Sequence, residues 1–150
     1  MFVSETKVRV RYAETDQMKV VYHGNYAQYF EAARAESIRQ LGFTYKDLEA
    51  MGVIMPIVEL HVKFLRPALY DDLLTVKTIL KELPAGHRIE FHHEVYNEQE
   101  KLLTTGRVVL YFLDSRTMHK MSPPPGLRSR LEGFFDPSAP EGGHHANNGG

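Results

Sequence analysis

Between Gly24 and Leu41, the side chains of Tyr26, Tyr29, Phe30, Ala33, Ser37, Ile38 and Leu41 recur at spacings of three and four. That period puts them on one stripe of a single long helix. Gln28, Glu31, Arg34, Arg39 and Gln40 take the other side, and Ala27, Ala32 and Ala35 keep the helix slim enough for a sheet to approach. Asn25 reads as the N-cap, with Gln28 three residues later as its reciprocal partner. Gly42 is the stop signal. One helix cannot cover its own apolar stripe, so the rest of the chain must supply a sheet.

The remaining sequence has the period of strands. Lys7 to Tyr12 alternates Val8 and Val10 with charged residues before the helix. After a short helical turn at Tyr45 to Met51, Val58, Leu60, Val62 and Phe64 alternate with Glu59, His61 and Lys63. Arg66-Pro67-Ala68 breaks the run, and Leu74 to Leu80 alternates again. Ile89, Phe91, His93 and Val95 share a face. Val108 to Leu113 is apolar on both faces, as a covered central strand should be. The result is an α+β domain of one helix on one antiparallel sheet, spanning residues 1–122. Leu127 to Phe135 forms an amphipathic extension within 123–135. Residues 136–150 carry no bulky apolar side chain and are expected to be mobile and functionally silent.

Composition closes several routes. Lys plus Arg number 18 against 19 Asp plus Glu, a balance that argues against general nucleic-acid binding. There is no cysteine, hence no disulfide and no thiol nucleophile. No stretch approaches the ~18 apolar residues of a membrane span. With no leader-like N-terminus either, a soluble cytoplasmic protein is expected. His92 and His93 are adjacent and would point to opposite faces of a strand, so they do not make a metal pair. No metal or cofactor site is expected.

Residues 11–26, Arg-Tyr-Ala-Glu-Thr-Asp-Gln-Met-Lys-Val-Val-Tyr-His-Gly-Asn-Tyr, combine a carboxylate, a Tyr-His pair and an Asn-Tyr at fixed offsets. This segment resembles the motif of the 4-hydroxybenzoyl-CoA thioesterase family, and most closely its Tol-Pal-associated branch of short acyl-CoA thioesterases. Phe64-Leu65-Arg66-Pro67-Ala68 and Asp72 to Val76 fit the same pattern, and the order of elements agrees from about Thr6 to Pro123. The resemblance implies a hot-dog fold, an antiparallel sheet wrapped around one long central helix. It also implies hydrolysis of short-chain or aromatic acyl-CoA, or of an acyl carrier protein thioester, by a dimer or tetramer. Family members carry Gly where this chain has Lys19, which puts either a strained turn or an added cation beside the site.

Thioester hydrolysis needs a nucleophile or base, and a donor for the charge growing on the carbonyl oxygen. Asp16 can attack the thioester or activate water. The helix start after His23 offers unpaired amides and the positive end of the dipole. By resemblance, the His23 amide polarises the carbonyl. The His23 ring can orient water or protonate the leaving thiolate, and the Tyr12 hydroxyl can hold Asp16 or substrate. Tyr22, Gly24, Asn25 and Tyr26 are implied on the substrate side. Arg66 and Lys120, with Lys77, Arg88 and Arg107, are candidates for the coenzyme phosphates. Two alternatives stay open from the residues alone: a hot-dog enoyl-CoA hydratase or dehydratase, and an acyl-group or acyl-carrier binding module of a lipid-synthesis assembly.

Overall fold

The structure, a computed structural model, describes residues 1–135; the expectation for 136–150 lies outside the described residues. In chain order the elements are β1 (Phe2–Arg9), α1 (Tyr26–Gln40), α2 (Tyr45–Ala50), β2 (Val53–Ile54), β3 (Ile57–Phe64), β4 (Leu73–Leu80), β5 (Arg88–Tyr96), β6 (Leu102–Tyr111), β7 (Leu113–Asp114) and α3 (Pro125–Phe135). Five strands form one antiparallel sheet in the order β1-β4-β5-β6-β3, while β2 and β7 form a small separate ribbon. The sheet wraps around α1, the hot-dog arrangement of an α+β domain. Among the described residues, no helix is long and apolar enough to cross a membrane.

The α1 stripe is buried as its spacing requires: Tyr26, Tyr29, Phe30, Ala33, Ser37, Ile38 and Leu41 are all inaccessible. From the sheet, Leu74, Val76, Thr78 and Leu80 of β4 and Ile89, Phe91, His93 and Val95 of β5 meet them. At β6 the Phe30 ring reaches the strand backbone. A Cβ on Gly106 would lie 2.5 Å from the Phe30 ring, so only glycine lets the helix sit this deep. Ala33 also contributes to the close contact, whereas Ala32 faces solvent.

Several boundaries differ from the sequence reading. β1 starts at Phe2, and Tyr12 lies beyond it in a 3-10 turn, Tyr12–Glu14. A second 3-10 turn, His23–Asn25, leads directly into α1. Asn25 therefore already has helical dihedrals (φ −76°, ψ −16°), and its side chain makes no cap hydrogen bond; the expected box with Gln28 is absent. β3 alternates in sequence, yet Val58, Leu60 and Phe64 remain 42%, 42% and 52% exposed. It is an edge strand of the sheet. Finally, α3 seats Leu127 and Leu131 in the core, and Phe134 packs edge-on against Phe2.

The largest correction is Arg34, whose charge predicts a place in solvent. It is 2% exposed. Position 34 lies four residues after Phe30, on the same stripe. Its Nη1 points at Nε2 of His93, 3.5 Å away. An arginine only donates, so that nitrogen carries the lone pair and the His93 Nδ1–H faces Thr78 Oγ1 at 3.2 Å. The His93 ring stacks on Phe30 with centroids 4.6 Å apart. Burial first, and the Arg34 charge second, pull the His93 pKa down to about 3.

This neutral core histidine sets an acid limit. The unfolded imidazole takes a proton below about pH 6.5, while the folded one resists until about 3, so its contribution to stability is complete above 6.5 and declines as pH falls between those values. Glu14 and Glu90, whose carboxyls are held below their usual 4.5, add losses only at lower pH. The melting temperature should therefore fall already between pH 6.5 and 5, and His93→Gln should flatten that slope. A wild-type melting temperature constant from pH 7 to 5 contradicts the assignment.

Candidate active site

Residues 14–22 form a small hairpin in front of α1. The Asp16 amide donates to the Val20 carbonyl (2.9 Å), Thr15 bridges Val21, and the Tyr22 amide donates to the Glu14 carbonyl (2.9 Å). The turn closes at Lys19, whose φ of +65° lies in the left-handed region. Such a conformation costs an L-residue about 1 kcal/mol. Of the two readings of Lys19, the strained turn is therefore present. The same turn fixes the carboxylate: Asp16 Oδ1 accepts from the Met18 amide at 2.8 Å and faces the Val20 amide at 3.5 Å. Oδ2 has no protein partner among the described residues.

What anchors the hairpin is Glu14, a residue that local sequence does not distinguish from any other loop acid. It is buried. Oε1 accepts from the Arg11 amide (2.8 Å) and the Tyr29 hydroxyl (2.9 Å), and Oε2 faces the Arg11 guanidinium at 3.3 Å. Burial works to raise the carboxyl pKa, but these donors outweigh it and hold the group below its usual value. Burial and then Glu14 push the Tyr29 phenol up, so it stays protonated and donates. Asn25 adds a second tie, its Nδ2 donating to the Glu14 carbonyl at 2.8 Å. The one signal in the sequence is Tyr29, a hydroxyl on a buried helix stripe that must find an acceptor.

The 3-10 turn at His23 leaves the amides of His23 and Gly24 without acceptors among the described residues. The His23 ring is exposed, 4.3 Å from Tyr22 and edge-on to Phe64 at 6.3 Å. A Cβ on Gly24 would lie 2.7 Å from the Tyr22 ring, so glycine makes room for that side chain. Tyr26 is buried against Tyr29 and Phe64. A cavity of about 290 Å³ opens here, with Val20, Tyr26, Phe64 and Arg66 in its wall. Neither Lys19 nor Arg66 is in an ion pair among the described residues.

Other candidates lie elsewhere. Tyr12 is 77% exposed and packs on Tyr70, making no hydrogen bond to Asp16 among the described residues. Arg88 and Arg107 pair with Glu59 and Glu90, and Lys77 pairs with Glu5. Lys120 lies over Tyr111, at the opposite end of the sheet from Arg66.

The hot-dog fold, with a loop carboxylate and unpaired helix-start amides on one segment, is that of the thioesterase class of hydrolases. The comparisons put the chain in that class. The model of the thioesterase-like superfamily matches residues 10–131, and the chain belongs to that family. YneP of Bacillus subtilis (strain 168) is 37% identical over 102 residues, 68% of this chain and 73% of that protein. The acyl-CoA thioester hydrolase YbgC of Escherichia coli O6:H1 is 30% identical over 120 residues, 80% of this chain and 89% of that one. A DHNA-CoA thioesterase from Staphylococcus aureus superposes with a TM-score of 0.85 at 35% identity, covering 90% of this chain and 92% of that chain.

If the Glu14 anchor holds the hairpin, Tyr29→Phe should cost about 1–3 kcal/mol by stripping a donor from a buried carboxylate. It should also lower turnover severalfold, because Asp16 loses its fixed place. Thermal melts and thiol-release rates on the same preparation check both. Unchanged values in both would show that the Glu14–Tyr29 contact does not hold the hairpin.

Proposed function

We propose that this protein hydrolyses short-chain or aromatic acyl-CoA thioesters to the free acid and CoA, with Asp16 as nucleophile or general base. The observation that carries the reading is a carboxylate with one free oxygen, fixed by its own turn on a hairpin tied to α1, whose chain runs on into helix-start amides that lack acceptors. In this reading the thioester carbonyl sits on the His23 amide, whose N–H and helix-end field stabilise the developing oxyanion. Asp16 attacks the carbon or takes a proton from water. The exposed His23 ring orients water or protonates the departing thiolate. In this reading the cations of Lys19 and Arg66 meet the phosphates, and the Tyr26–Phe64 cavity takes the acyl group. Tyr12 is left with at most a role on the outer rim.

The working unit is a dimer or a tetramer built from dimers. Support comes from β3, an edge strand with unpaired backbone groups and exposed Ile57, Val58, Leu60 and Phe64. Antiparallel pairing with β3 of a second copy, about an axis near residues 60 and 61, sets Ile57 of one copy opposite Phe64 of the other. Lys120, near Tyr111 and the Ile57 end, then approaches the neighbouring copy's site.

Asp16→Asn should remove most thiol release from acyl-CoA while leaving the melt unchanged. A variant keeping more than about a tenth of wild-type turnover takes Asp16 out of the mechanism. Light scattering at micromolar concentration should give a dimer or tetramer, and a monomer would end the shared-edge reading.

A further inference from the structure

In the reading above, Lys19 acts only through its charge. Its place in the hairpin gives it a second capacity. Residues 16–19 form one tight turn, closed by the Lys19 amide on the Asp16 carbonyl at 2.9 Å. The two Cα atoms are therefore within about 7 Å of each other. The Asp16 carboxylate is folded back over the same turn by its bond from the Met18 amide at 2.8 Å. A lysine amine rides on a flexible four-carbon stem, which is long enough to span the width of one turn.

The amine is also uncommitted. Lys19 is exposed, and no carboxylate pairs with it among the described residues. Other lysines are engaged: Lys7 donates to Thr75 Oγ1 at 2.6 Å, Lys77 lies over Tyr96 and beside Glu5, and Lys120 lies over Tyr111. Lys46 and Lys81 are exposed and unpaired like Lys19, but they sit on α2 and past the end of β4 that is farther from the hairpin.

A thioester acylates amines as well as water. A carbonyl carbon that the free oxygen of Asp16 can reach lies in the range of an amine on the same turn. Holding the two together raises the effective concentration of the amine far above that of a lysine in solution.

We propose that Lys19 is a self-acylation site. Its free amine attacks the carbonyl carbon of the bound acyl-CoA, and the N–C bond forms as the C–S bond breaks. The amine proton passes to the Asp16 carboxylate and from there to the departing CoA thiolate. The products are an acyl-lysine amide and free CoA, and no further reactant is consumed. The inference rests on the thioesterase reading. An amide is a much poorer electrophile than a thioester, so the label accumulates. It removes the charge of Lys19, and with it a cation that meets the coenzyme phosphates in that reading, so the protein slows its own turnover as it is acylated.

The test incubates the purified protein with benzoyl-CoA, follows thiol release, and maps acyl-lysine by mass spectrometry after hydroxylamine has cleared any acyl-aspartate. Lys19 should be labelled at least tenfold faster than Lys46 and Lys81, and free CoA in excess should slow labelling at Lys19 alone. Wild-type turnover should decay as the label accumulates, whereas Lys19→Arg, which keeps a cation but no acylable amine, should show no such decay. Labelling of Lys19 no faster than of Lys46 and Lys81, or unaffected by free CoA, would overturn the inference. Equal decay in Lys19→Arg and wild type would also overturn it. Multiple-turnover thiol release without label at Lys19 leaves the thioesterase reading standing and sinks only this inference. Release of no thiol from any acyl-CoA overturns both.

Discussion

Everything in this molecule depends on how deeply α1 sits in the sheet. Phe30 fills the gap over Gly106 and stacks on His93, and no other residue at 106 leaves that space. The depth determines where the start of α1 lies. Tyr29 is one residue before Phe30, so the same approach brings its hydroxyl to Glu14 and thereby fixes the hairpin that carries Asp16. Packing in the core and placement of the Asp16 carboxylate are thus one chain of contacts. A close-packed interior transmits a displacement of the helix to the loop, with little slack between them.

The hairpin concentrates local costs. Lys19 occupies the left-handed region, and Glu14 is a carboxylate held in a nearly dry place. Strained or buried polar groups persist where surrounding contacts over-determine them, and they cluster at functional sites. Here the over-determination is visible. Three donors satisfy Glu14, and backbone bonds on both arms hold the turn around Asp16.

Much of the fold was legible in the amino-acid sequence because periodicity reports burial directly. The α1 stripe, the shared face of Ile89 to Val95 and the turn glycines all follow from it. Charge misled where a polar side chain is buried for reasons that cross the structure. Arg34 belongs to the stripe by spacing, but its partner His93 is 59 residues away. Glu14 looks like any loop acid until Tyr29 is brought to it. Asn25 has the composition of a cap, yet the preceding 3-10 turn gives it helical dihedrals and frees its side chain to tie the loop. β3 shows the opposite failure: its alternation is real, but at the edge of the sheet Val58, Leu60 and Phe64 stay exposed. Arg66 shares a cavity wall with Tyr26 and Phe64, whereas Lys120 lies at the far end of its own sheet, a separation that no local pattern records.

The central claim is that this braced carboxylate and helix start hydrolyse thioesters of coenzyme A. The most direct measurement is thiol release by the purified wild-type protein across a panel of acyl-CoA substrates, from short alkyl chains to hydroxylated aryl groups. The proposed mechanism predicts multiple-turnover release of free CoA, at enzyme concentrations far below substrate, for at least one short-chain or aromatic member. A folded protein that binds these thioesters but releases no thiol from any of them would contradict it.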